Sequence, residues 1–182
     1  MATIVRNRDK LKTLVHYIIA RCDDPNILGS IKLNKALWVS DLRAYVKWGQ
    51  PITGEHYVKQ EFGPVASTVG IMRELEAERK IVVRKREMFG HTKTDYIALV
   101  PPENISAQFT ADEISLVDEA IDFVCLEHTA MGISEKTHDL IWQLAEIGEE
   151  IPYEAMWASR LDGITKDDVK WAQDVSAQQR HA

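Results

Sequence analysis

Between two stretches of helical patterning the chain carries the connector WGQPITGEHYVKQEFGPVAS, residues 48–67. Gly49, Pro51, Gly54 and the pair Gly63–Pro64 fix its path at the ends and in the middle. Glycine admits backbone angles that other residues resist, and proline locks φ. Between these points runs Tyr57 to Phe62, rich in strand-favouring side chains. A connector punctuated this way has a prescribed shape. That shape can serve to hold a catalytic group, to pack a core or to present a surface to a partner.

The flanking segments set its frame. Leu11, Leu14, Val15, Ile18, Ile19 and Cys22 recur at three-four spacing and predict a one-sided helix over 7–22. "DDPN" ends it. A second helix over 31–48 carries two apolar stripes, the mark of a central helix, and Gly49 stops it. "HYVKQEF" predicts an extra edge strand. Pro64 suits the first position of a third helix, which runs on through Val65, Val69, Met72 and Leu75 to near Lys80. Ile81 to Met88 and Thr94 to Leu99, with Gly90 between them, predict a β-hairpin. "PPEN" is a breaker. Thr110 and Glu113 form a capping box ahead of Ile114, Val117, Ile121, Val124 and Cys125. "TAMGIS" is expected to break that helix and Ser134 to cap the next, which places His138, Ile141, Trp142 and Ala145 on one face and stops at Gly148. Pro152 is expected to open a short helix in "IPYEAMWAS", and Thr165 to cap a last one ahead of a frayed tail. The fold class is therefore α+β, mainly α. The expectation is one compact helical domain over 1–182, with one β-hairpin in a winged-helix-like order and a possible extra edge strand.

Chemistry is sparse. The six histidines are scattered, and there is no HExxH, CxxC, P-loop, dinucleotide fingerprint or GxSxG elbow. Ser134, His138 and Asp139 lie close in sequence, but such a group is more often capping and packing than catalysis. No catalytic residue, metal site or cofactor is expected. Cys22 and Cys125 each fall in an apolar stripe and read as separate buried thiols, which fits a reducing cytoplasm. No apolar run approaches the ~20 residues that span a bilayer, and the N-terminus lacks a signal-peptide core. A net charge of −6 argues against whole-protein affinity for nucleic acid or anionic membrane. The hairpin region is the exception: Arg79 to Lys93 holds six basic residues and one acid. Arg84, Lys85, Arg86 and Lys93 are the residues with which a basic wing would touch phosphates. A recognition helix should then be basic too, and "VASTVGIMRELEAER" is not. The preferred reading is a solvated hairpin whose charges discourage edge pairing.

The run from Lys32 to Ser67 resembles the signature of the Panacea domain, the SocA-like antitoxin family. The residues that carry the likeness are Lys32, Leu33 and Lys35; Pro51, Ile52 and Gly54; Tyr57 and Val58; and Gly63, Pro64 and Val65. Thr137–His138 stands where the family has Ser-His, Trp142 lies downstream, and Ile151–Pro152–Tyr153 follows. The likeness covers roughly residues 8–160. It implies a non-enzymatic antitoxin that neutralises an adjacently encoded protein toxin by direct binding. It also implies links to prophages and, in one mode, delivery of the toxin to a Clp-type protease. The partner-binding residues it points to are Lys32, Lys35, Tyr57, Gly63, Pro64, His138, Trp142 and Tyr153.

Overall fold

The computed structural model describes residues 4–88, 90–137, 142 and 145–154. The first helix, α1 (Arg8–Cys22), starts where the Asn7 side chain accepts the Lys10 N–H, and it ends at Asp23 in a left-handed conformation. Leu11, Leu14, Val15, Ile18 and Ile19 are all buried, as the spacing predicts. At ~1.5–3 kcal/mol per buried aliphatic side chain, this one face holds α1 against the core. The second helix, α2 (Ser30–Trp48), is central. It packs against α1 and, further along the chain, against α5 (Ala111–Ile121) and α6 (Ala130–Thr137). Its buried set includes Leu33, Ala36, Leu37, Trp38, Val39 and Ala44, and Gly49 caps it by donating its N–H to the Tyr45 carbonyl.

The connector is a second, smaller hairpin. β1 (Val58–Gln60) pairs antiparallel with β2 (Gly63–Val65), so the predicted edge strand exists and has a partner. Pro64 is therefore not at the start of a helix: it lies in β2 opposite Lys59, and α3 (Val69–Ala77) begins later, after Thr68. Two contacts with α2 explain the shift. The Asn34 side-chain oxygen accepts the Ala66 N–H at 3.1 Å, and Gly63 lies against the Lys35 side chain. A two-stranded ribbon of three-residue strands tolerates proline because a short edge strand needs few donors. The outer edge of β1 is covered as well. Residues 148–151 run antiparallel to it, with Gly148 N–H donating to Lys59 O, Lys59 N–H to Glu149 O and Ile151 N–H to Tyr57 O, all within 2.8–2.9 Å.

The predicted hairpin is β3 (Ile81–Met88) and β4 (His91–Ala98), in register from Ile81↔Ala98 inward. The "PPEN" breaker leads into a one-turn helix, α4 (Glu103–Ser106). The Thr110–Glu113 capping box forms with both of its hydrogen bonds and opens α5. The long stripe through Cys125 is not one uniform helix, because α5 passes into a π turn at Asp122–Leu126 that closes with Glu127 N–H on Asp122 O. "TAMGIS" starts a helix instead of breaking one. Thr129 accepts the Gly132 N–H at 3.1 Å, α6 follows at once, and Ser134 lies inside it. The fold is α+β, mainly α, with two antiparallel hairpins among the described residues. Helices followed by a hairpin keep the winged-helix order, with β1–β2 inserted between α2 and α3.

Candidate partner-binding site

The shape of the connector comes from one carboxylate on α2. Asp41 is fully buried and accepts the Thr53 N–H at 2.7 Å, the Thr53 hydroxyl and the Tyr57 hydroxyl at 2.8 Å. The Tyr153 hydroxyl lies 3.3 Å away and donates its shorter bond, 2.7 Å, to the Glu55 carbonyl. Burial pushes the Asp41 carboxyl up, and the hydrogen bonds from Thr53, Tyr57 and Tyr153 only partly counter it. Burial also drives the Tyr57 phenol well above its ordinary range, and the neighbouring Asp41 charge adds to this, so the hydroxyl stays a donor. Trp38 packs edge-on to Tyr57 and stacked on Tyr153, which in turn stacks on Tyr45. Glu55, also buried, accepts from Arg6 at 2.7 Å. Two distant segments thus close on α2, the Thr53–Tyr57 stretch and the chain around Tyr153, and the N-terminal arm fastens to the first of them through Arg6 and the Asn7 N–H, which donates to Thr53 O.

The same helix positions two buried lysines at its first turns. The Lys32 ammonium donates to the Cys125 carbonyl in the π turn at 2.9 Å. Lys35 is 1% exposed, and its ammonium reaches the α-carbon of Gly63 so closely that a Cβ built there would lie 1.7 Å from it. Gly63 has φ +121°, a conformation that side-chain-bearing residues avoid, so both the backbone and the lysine require glycine here.

Above these lysines lie two pockets that share the walls Ser30 and Ile31. The larger, about 600 Å3, runs from Asn26 and Ile27 past Lys32 to the Thr92–Thr94 end of β4 and to Thr129 at the start of α6. The smaller, about 180 Å3, lies between Ile31, Asn34 and Lys35 of α2 and Gln60, Phe62, Pro64 and Val65 of the β1–β2 hairpin. Phe62, at the tip of that hairpin, is 45% exposed. The result is a groove across the N-terminus of α2, with a hairpin at each end and a lysine under each pocket.

A protein-family model described as antitoxin SocA-like, Panacea domain, matches residues 33–143. The chain belongs to this family of SocA-like Panacea domains. The matched span holds Lys35, Tyr57, Gly63, Pro64 and Trp142, whereas Lys32 and Tyr153 lie just outside it. No curated protein and no solved structure matches the chain.

The residues singled out by sequence fall into distinct places. Lys32, Lys35 and Pro64 line the groove, and Gly63 backs Lys35. Tyr57 and Tyr153 point inward to Asp41. Trp142 is partly buried beneath the Lys59 ammonium, 4.2 Å from its ring centroid, and Lys59 also donates to Ala145 O. His138 lies outside the described residues. Asp41 and Ile31 were missed, the first because a single aspartate in a helix reads as a surface residue.

The basic hairpin divides in two. Arg84 and Lys85 are exposed. Arg86 instead pairs with Asp95 and donates to Asn26, while Lys93 donates to the carbonyls of Pro25 and Asn26 and lies 3.4 Å from Asp95. Two of the four cations are thus committed to fastening the hairpin to the loop before α2. Among the described residues, no helix is long and apolar enough to cross a membrane.

Proposed function

We propose that this chain neutralises a protein toxin, encoded beside it, by gripping a segment of that toxin in the groove over the N-terminus of α2. The observation that carries the reading is the shared wall: Ser30 and Ile31 join two pockets, one lined by Lys32 and the other by Lys35, two lysines of the stretch that resembles the family signature. The occupant that fits is an apolar segment bearing an acidic side chain. Its apolar part meets Ile31, Pro64 and Phe62, and its charge meets the lysine-lined, side-chain-uncapped start of α2. In this reading Tyr57 and Tyr153 act from beneath, holding the connector through Asp41. A preformed groove lowers the ordering cost of binding. In this reading the mode of action is occlusion of the toxin in the cytoplasm and not catalysis.

Co-expression with the neighbouring open reading frame tests this. The neighbour alone should arrest growth, the pair should not, and Phe62→Glu with Ile31→Glu should lose rescue while retaining the wild-type melting curve. A harmless neighbour, or full rescue by the double variant, overturns the reading. Delivery to a Clp-type protease differs in one readout: the toxin's half-life then falls in the presence of this chain, whereas occlusion leaves it unchanged or longer. Use of the hairpin on DNA is disfavoured by the engagement of Arg86 and Lys93.

A further inference from the structure

The register of the β3–β4 hairpin fixes which backbone groups point out of it. Met88 pairs with His91 across a two-residue turn, and a turn of that length makes its flanking residues exchange both hydrogen bonds. Bonded and non-bonded pairs then alternate along the ladder. Arg86↔Lys93 and Arg84↔Asp95 bond inward, whereas Glu87↔Thr92 and Lys85↔Thr94 turn their N–H and C=O groups away from the partner strand. Contacts at the base of the hairpin agree with this alternation. Leu99 N–H donates inward to Lys80 O at 2.8 Å, and Val83 N–H points outward to the Glu76 carboxylate at 3.1 Å.

The two edges meet different surroundings. On β3 the outward groups are those of Lys85 and Glu87, whose charged side chains stand on open surface and discourage pairing. On β4 those of Thr92 and Thr94 border the larger pocket, about 600 Å3, and threonine favours strand pairing. Among the described residues, these main-chain groups have no hydrogen-bond partner. Gly29 stands against the Thr94 carbonyl, where a Cβ built on it would lie 3.8 Å away. A strand added to this edge would therefore end at Gly29 and run out past Thr92 toward the turn. Lys32 and Lys93 line the pocket, the described lining holds no carboxylate, and the start of α2 has no side-chain cap. The charge that fits is negative.

We propose that the toxin segment enters the larger pocket as an extended strand, pairs with the outer edge of β4 through Thr92 and Thr94, and turns an acidic side chain toward Lys32. This rests on the function proposed above and adds to it the mode of binding. In strand addition the main chain supplies affinity, and only every second side chain meets the host. Recognition then depends on an extended shape and a well-placed carboxylate more than on a fixed sequence.

The test uses the full chain and the purified product of the neighbouring open reading frame. Proline on an edge strand with its nitrogen facing outward removes a donor and blocks pairing, while the hairpin's own ladder is kept. Thr92→Pro should weaken binding by about tenfold or more and lose growth rescue. Glu87→Pro, directly opposite on the other edge, should bind and rescue as wild type does. Amide exchange followed by NMR on the wild-type chain gives a second readout that needs no variant to fold. The Thr92 and Thr94 amides should exchange freely in the free chain and slow by about tenfold or more in the complex, while Lys93, already bonded to Arg86, changes little. Strand addition alone is overturned if the wild type neutralises the toxin but these two amides are unaffected, or if Thr92→Pro binds as tightly as Glu87→Pro. It is also overturned if the free chain is a dimer in which both amides are already protected, since a second copy then holds the edge. A wild-type chain that neither binds nor neutralises the neighbour overturns this inference and the proposed function together.

Discussion

Replacing Asp41 by alanine tests whether one buried carboxylate sets the shape of the connector. The substitution strands the Thr53 N–H, the Thr53 hydroxyl and the Tyr57 hydroxyl, three buried donors at a site with no exposure. Tyr153 keeps its bond to the Glu55 carbonyl and is not counted. Each stranded donor costs about 1–3 kcal/mol, and relief of the buried charge offsets part of the sum, which leaves roughly 3 kcal/mol. In urea, with a slope near 2 kcal/mol per molar, the midpoint should fall by about 1.5 M. Asp41→Asn keeps an acceptor and should cost about 1 kcal/mol. The pH dependence adds a signed check. The folded-state pKa of Asp41 is raised, so its contribution is fully present below the unfolded value and is lost as pH rises through the folded one. Asparagine cannot ionise, so the advantage of wild type over Asp41→Asn should shrink as pH rises from about 4. An alanine variant within about 1 kcal/mol of wild type, or an advantage that grows with pH, would refute the reasoning.

Two further outcomes follow from the same contacts. Gly63→Ala should destabilise by about 1–3 kcal/mol from backbone strain alone, with more from displacing Lys35; in a Lys35→Met background the cost should fall, and an equal cost in both would remove the steric explanation. Glu78 is pulled down to about 2 by hydrogen bonds from Lys12 and Lys80, so its support is present above its unfolded value and lost as pH falls through the folded one. Thermal melts taken downward from about pH 5 should therefore decline less steeply for Glu78→Gln than for wild type, and parallel profiles would contradict this.

Much of the fold was legible because it is written in local spacing. The three-four stripe of α1, the Gly49 stop of α2, the Thr110–Glu113 box and the alternation around Gly90 each concern residues within a turn or a hairpin of one another. What was not legible depends on distant partners. Gly63–Pro64 reads as a helix start until Lys35 and Asn34 are brought beside it, and then it is a strand. The π turn leaves no mark in a stripe that looks uniform, and Val124 and Cys125 are buried within it as the three-four spacing predicts. Thr129 caps α6 five residues before the serine that seemed suited to the task. Of the candidate site, the lysines were visible as motif positions. The groove above them was not, because its walls come from α2, both hairpins and the start of α6.

The strip at 148–151 that covers the outer edge of β1 imposes an order on synthesis. A ribosome delivers Lys35, Asp41 and the whole β1–β2 ribbon long before it delivers Gly148, Ile151 and Tyr153. Until those residues clear the exit tunnel, the nascent ribbon has one bare edge and Asp41 lacks its last neighbour. A broken message that stops short of this strip yields a polypeptide holding nearly all of the signature but not the finished ribbon.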